Sequence, residues 1–264
     1  MDFESYSTFA FERDGRLLRV SFNRPECMNA INKVAHEETA RLFIDLTEDS
    51  LSDVIILSGA GRAFSAGGDL DYIQNMIDDP RLFVEDMQDV KRIVFGMLDC
   101  PKPIIAKLNG AAVGLGATIA LLCDVVFATP NVKIGDPHVK VGLVAGDGGA
   151  VLWPHLVGHA RAKEYLMTGR LLNAEEAERI GLINHVVSPA ELDFVVDEFA
   201  RELLAGAMKA IQWTKLSVNI ALKQVASSVL DASIAYEALS NVTADHREAV
   251  SALREKRKPN FTGT

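Results

Sequence analysis

The sequence predicts an α/β protein: a core that repeats strand, glycine-rich turn and helix, closed by a helical C-terminal portion. Three observations carry this. Pro103–Leu108 (PIIAKL) reads as a buried strand, and Asn109–Asp124 (NGAAVGLGATIALLCD) follows with glycines that open an apolar segment of helical length. Asp53–Ser58 (DVIILS) reads as a second strand, followed by the turn Gly59–Leu70 (GAGRAFSAGGDL). From Pro189 onward the pattern is helical, with no glycine- or serine-rich linker before it. Residues 1–188 are therefore expected to form the core, and 189–264 a helical region packed on it.

Leu17–Asn23 (LLRVSFN) alternates as an early strand after an Asp14–Gly15 turn. Pro25 interrupts the next stretch, Arg24–Ile31 (RPECMNAI). Asn32–Asp49 reads as an amphipathic helix on which His36 takes a partly solvated place. Asp71–Asp99 reads as one or two helices broken near Asp79–Pro80, since proline lacks the N–H a helix interior needs. Asp124–Ala128 and Val132–Ile134 are short strands. Glycine and proline punctuate Gly135–Pro154 (GDPHVKVGLVAGDGGAVLWP), which predicts an irregular loop presenting Asp136, His138 and Asp147. Helices follow at Ala160–Thr168 and Asn173–Ile180, with Asn173 as N-cap and Gly181 as stop. The helical end reads as Ala190–Ala205, Met208–Val225 and Ser228–Glu255. Trp153 and Trp213 are assigned to the core.

Hydrophobic residues are 48% of the chain, enough for a sizeable core, and a formal charge of −9 argues against a general nucleic-acid partner. The three cysteines show no paired spacing, so neither a disulfide framework nor a zinc site is expected, and no HExxH or carboxylate cluster signals another metal. Gly114-x-Gly116 is not a dinucleotide fingerprint, because Ile119 stands where the third glycine belongs. The acidic start lacks a cationic segment before an apolar one, and no apolar run reaches ~18 residues. A cytoplasmic protein with no membrane partner is expected.

A strand, a glycine-rich turn and a helix start leave unpaired backbone N–H groups facing whatever precedes the helix. Such a place suits an oxygen that becomes negative during a reaction. Two such turns, each after a buried strand, suggest two donors converging on one oxygen.

FSAGGDL and NGAAVGLGATIALLCD resemble the paired signatures of the crotonase (enoyl-CoA hydratase/isomerase) superfamily. RPECMNAI resembles its first coenzyme A loop, and Arg254–Phe261 (REKRKPNF) its C-terminal end. The resemblance implies a ββα spiral core, a homotrimer or dimer of trimers, and an acyl-CoA substrate. Coenzyme A would enter as part of that substrate, with no metal or redox cofactor. It further implies an oxyanion hole from the N–H groups of Gly68 and Leu115. Contacts to coenzyme A would come from Arg24, Met28, Ala30, Ala66, Gly67, Asp69, Leu70 and Lys258. Leu115 replaces the family's usual glycine; it keeps the donor and adds bulk beside it.

The family's hydratases use two glutamates, and this chain has Thr118 and His138 at those positions. His138 and Asp147 remain as an acid/base set, since an imidazole exchanges protons near neutral pH and a carboxylate can hold its tautomer. The bland alternative is a satisfied loop histidine and a turn aspartate. DPH and GDGGAVLWPHLVG also resemble the carbon–carbon bond hydrolases of the 6-oxocamphor hydrolase type, where His36, His138, Asp147 and Glu237 fall at polar active-site positions. That type carries a further histidine where this chain has Gly116. Three activities are thus expected in order: enolate chemistry on a thioester (a lyase or isomerase), hydrolysis of a β-dicarbonyl compound, and coenzyme A binding without catalysis.

Overall fold

The structure, a computed structural model, describes residues 3–264. The chain runs through β1 (Phe9–Asp14), β2 (Leu17–Phe22), α1 (Lys33–Glu48), β3 (Val54–Gly59), β4 (Ala63–Ser65), α2 (Leu70–Asp78) and α3 (Pro80–Asp99). It continues through β5 (Ile104–Leu108), β6 (Ala111–Val113), α4 (Leu115–Leu122), β7 (Val125–Ala128), β8 (Lys133–Gly135), α5 (Gly149–Val157), α6 (His159–Thr168), β9 (Leu172–Asn173) and α7 (Ala174–Arg179). It ends with β10 (His185–Val186), α8 (Leu192–Ala205), α9 (Met208–Asn241) and α10 (Ala244–Arg254).

Two sheets share these strands, in the orders β1-β2-β3-β5-β7-β10 and β4-β6-β8-β9. The β1–β2 hairpin is antiparallel, and from β2 to β10 the large sheet is parallel. Three times the chain passes from a large-sheet strand to a small-sheet strand and on to a helix, which is the repeating ββα step. The steps are tight. A Cβ on Gly59 would lie 2.3 Å from Ala63 O, and one on Gly110 would lie 2.0 Å from Arg62 O. Only glycine lets the chain cross between sheets there.

β3 is buried on both faces, as its unbroken apolar run requires. Ile55 and Leu57 face the main core with Phe43, Ile93 and Leu98; Val54 and Ile56 face the other way, under Leu192, Val196 and Ala200 of α8. The C-terminal helices thus complete the core of the sheet. Among the described residues no helix is long and apolar enough to cross a membrane.

Several expectations need correction. β4 and β6 lie inside what reads as glycine-rich turn, and β1 inside the acidic start. Gly135–Pro154 is only partly irregular: a 3₁₀ turn spans His138–Val141, and α5 carries Pro154 in its interior. The break expected at 226–227 is absent. The hydroxyls of Ser227 and Ser228 donate back to the carbonyls of Lys223 and Gln224, so both serines fit inside one long α9. The helix instead ends before Thr243, whose hydroxyl caps α10 by accepting from His246 N at 3.2 Å. Trp153 is buried, but Trp213 is 65% exposed on α9, and His36 is buried at 6% exposure.

Candidate active site

A cavity of about 280 Å³ lies between the two glycine turns, α2, α3, the loop after β8, and α9. The turns touch. Gly67 (φ +88°) faces Val113 O, which a Cβ would approach to 2.9 Å; a Cβ on Gly114 (φ +55°) would lie 3.9 Å from Gly67 Cα and 3.5 Å from His138 Cε1. Both backbones therefore reach the cavity wall without a side chain between them.

Local pairing leaves a donor free on each turn. Ile31 N–H donates to Gly67 O at 2.8 Å and Asp69 N–H to Ile31 O at 3.0 Å, so the bridge skips Gly68 N–H. Leu115 is the first residue of α4, where no intrahelical acceptor exists. Among the described residues neither N–H has a backbone acceptor, and both residues line the cavity.

A buried polar cluster faces them. His138 Nδ1 bonds Asp136 Oδ1, while His138 Nε2 stands 3.5 Å from Asp147 Oδ2 and 3.8 Å from Glu237 Oε1. Thr118 Oγ1 donates to Asp147 Oδ1 at 3.4 Å. The turn bearing His138 is fastened from α10, where His246 Nδ1 donates to Val141 O at 2.5 Å. Burial alone would lower the pKa of His138, but Asp136, Asp147 and Glu237 together raise it well above its ordinary value. Burial pushes Asp147 up to about 6 against the pull of His138. Burial, with Asp147 beside it, raises Glu237 well above the carboxylate range. Near neutral pH Asp147 is therefore mainly ionised, while His138 is biased toward its charged form and Glu237 toward its neutral one.

This revises the sequence reading at two points. Asp136 holds Nδ1 of His138 and leaves Asp147, expected as its orienter or as a second acid/base, 3.5 Å from Nε2; the GDPH spacing is the signal that could have found Asp136. Asp147 and Glu237, both singled out in the sequence, line the cavity as two carboxyls. Asp136, His138 and Asp147 also place ligand-type atoms within 4.8 Å of one another, as do His36, Asp86 and Asp89, groupings that no sequence spacing announced.

The other residues singled out divide in two. Ala66, Gly67, Leu70 and His36 line the cavity. Arg24, Met28, Ala30, Asp69 and Lys258 do not. The Arg24 guanidinium bonds Ala30 O and lies 3.8 Å from Asp69 Oδ2, and Met28 (φ +56°) accepts from Ala66 N at 3.0 Å. Asp69 caps α2 by accepting from Asp71 N at 3.0 Å. These residues set the shape of the loop beside the Gly68 turn. Lys258 is exposed beyond α10.

The enoyl-CoA hydratase/isomerase family model matches residues 12–264. The chain is 35% identical to a crotonyl-CoA hydratase from Syntrophomonas wolfei subsp. wolfei, over 97% of this chain and 98% of that one. It is 34% identical to a 1,2-epoxyphenylacetyl-CoA isomerase from Escherichia coli, over 94% and 95%. The structure superposes on an enoyl-CoA hydratase/isomerase from Mycobacterium paratuberculosis with a TM-score of 0.89 at 37% identity, covering 94% of this chain and 99% of that one. The chain belongs to the enoyl-CoA hydratase/isomerase family, has the crotonase fold, and is an enzyme of the hydratase/isomerase kind.

Proposed function

We propose that this member of the enoyl-CoA hydratase/isomerase family moves protons beside the carbonyl of an acyl-CoA thioester through an enolate. The observation that carries the reading is that two buried carboxyls, Asp147 and Glu237, line one cavity with two free N–H donors, and burial raises the proton affinity of both. The named acyl-CoA activities of its relatives support the substrate class.

In isomerisation, Asp147 takes a proton from a carbon conjugated to the thioester. The electron pair moves onto the carbonyl oxygen, which Gly68 and Leu115 N–H hold. Glu237 then returns a proton to the far carbon. In hydration, Asp147 takes a proton from water as its oxygen bonds the β-carbon, and Glu237 delivers one to the α-carbon. Either way one proton is taken and one given. The imidazolium of His138, oriented by Asp136, keeps Asp147 ionised and steadies the pair. Preformed donors stabilise the developing oxyanion without reorganising.

The β-dicarbonyl hydrolase reading is less well supported. A Cβ on Gly116 would lie 2.7 Å from Ser65 Cβ, so the further histidine of that type has no room.

Gly68→Pro tests the proposal. Proline removes the N–H, while Gly68→Ala keeps it and brings its Cβ only to 3.0 Å from the flexible end of Ile73. The proline variant should lose about 10²–10³-fold in kcat and retain most coenzyme A affinity. A folded proline variant with wild-type kcat would remove the oxyanion assignment.

A further inference from the structure

A second polar group lines the same cavity, built from different elements. His36 comes from α1, Tyr72 from α2 and Asp86 from α3. Around them the wall is apolar, with Ile73, Met76, Phe83, Met87 and Val90. A plain hydrocarbon chain would need only those five.

The polar atoms are already sorted. Tyr72 OH donates to Asp86 Oδ2, and Lys33 Nζ stands 3.6 Å from Asp86 Oδ1. Asp89 pairs with Arg92 at 2.7 Å. Each carboxylate thus has its own cation, and neither calls for a charged ligand. His36 differs. It is 6% exposed, and its Nδ1 is buried with no hydrogen-bond partner among the described residues. Among the described residues no carboxylate comes within ion-pair reach of its ring. Burial lowers its pKa against the nearby charges of Asp86 and Asp89, so the ring is neutral and offers one donor and one acceptor. Nδ1 has almost no open surface, so a ligand in the cavity would meet the ring at Nε2, which also has no hydrogen-bond partner among the described residues.

We infer that His36, Tyr72 and Asp86 form a subsite for a neutral oxygen, a hydroxyl or a ketone, carried by the acyl group apart from its thioester. The ligand class is an oxygenated acyl-CoA. A hydroxyl could donate to or accept from the ring nitrogen that faces it and a ketone could accept from it, while a carboxylate would meet Asp86. The inference rests on the acyl-CoA reading above and sharpens it.

Calorimetry tests it without turnover. The probes are coenzyme A itself and saturated acyl-CoAs of one chain length, either unsubstituted or hydroxylated at successive carbons beyond the β-position. One hydroxylated position should bind about ten-fold tighter than the unsubstituted chain, the worth of one good hydrogen bond. That ratio should fall to near one in His36→Leu and in Tyr72→Phe, and His36→Gln, which keeps a donor and an acceptor, should restore most of it. The inference is overturned if no position is favoured, or if the ratio survives both variants. It is also overturned if zinc or magnesium binds the free protein and His36→Leu abolishes that binding, because the group then holds a cation. Failure of coenzyme A and every acyl-CoA to bind would instead sink the underlying reading.

Discussion

Two histidines line one cavity, and they are set to opposite states. His138 and His36 are both buried, and burial lowers the pKa of each. The outcome is decided by how close the carboxylates come. Around His138, Asp136 is in contact, with Asp147 at 3.5 Å and Glu237 at 3.8 Å. Around His36, Asp86 and Asp89 only approach within 4.8 Å, and each is engaged elsewhere. One ring is therefore charged and the other neutral. A buried histidine has no fixed character; the ångström or so separating contact from near-contact sets it. The charged ring suits a proton-handling end and the neutral ring a recognition end.

The largest expected effect breaks that comparison most directly. His138→Gln should lower kcat by about 10²–10⁴-fold, the range for disabling an acid/base pair, because Asp147 and Glu237 lose the imidazolium that holds their proton balance. His36→Gln should change kcat by less than about ten-fold. Steady-state kinetics on an acyl-CoA substrate reads both. Equal losses in the two variants would mean that the rings share one role, and the division would fall.

Next in size come the two carboxylates beside His138. Asp147→Asn and Glu237→Gln should each lower kcat by about 10²-fold. The double variant should be scarcely worse than the worse single one, because groups acting as a unit are non-additive. With Asp147 pushed up to about 6, kcat/KM should fall as pH drops through that value, where the base becomes protonated. The limb should vanish in Asp147→Asn. Survival of that limb would assign it to another group.

The frame of this site was legible in the sequence because its signals are local. The apolar runs of β3 and β5 and the glycines after them are contiguous, so strand, turn and helix start could be read without tertiary knowledge. Pro80 announced the α2–α3 break for the same reason. β4 and β6 were hidden, since three residues inside a glycine-rich stretch carry no periodicity. The polar set was harder. His138 and Asp147 stood out as chemistry-bearing residues on a loop, but which carboxylate touches which ring nitrogen depends on how the His138 turn is held from α10. Gly116 reads as one of the glycines that open α4 until the fold presses it onto Ser65. The Tyr72–Asp86 bond joins two helices across a proline break, and no spacing rule connects them.

The smallest expected effect is on stability, and its sign differs for the two rings. His36 has a folded pKa below its unfolded value, so the unfolded chain binds the extra proton first. Its contribution is whole above pH ~6.5 and is lost as pH falls below that. His138 has a folded pKa above its unfolded value, so its contribution is whole below pH ~6.5 and is lost as pH rises through the folded pKa. Each pH unit of displacement corresponds to about 1.4 kcal/mol. Melting temperature measured against pH should therefore lose part of its acid-side fall in His36→Gln, and part of its alkaline-side fall in His138→Gln. Asp147 works on the acid side too. Raised to about 6, it favours the folded state as pH drops, which opposes His36 and should make the wild-type acid fall shallower than in Asp147→Asn. If His36→Gln flattened the alkaline limb instead, the neutral ring would be the charged one, and recognition and proton handling would have to exchange ends of the cavity.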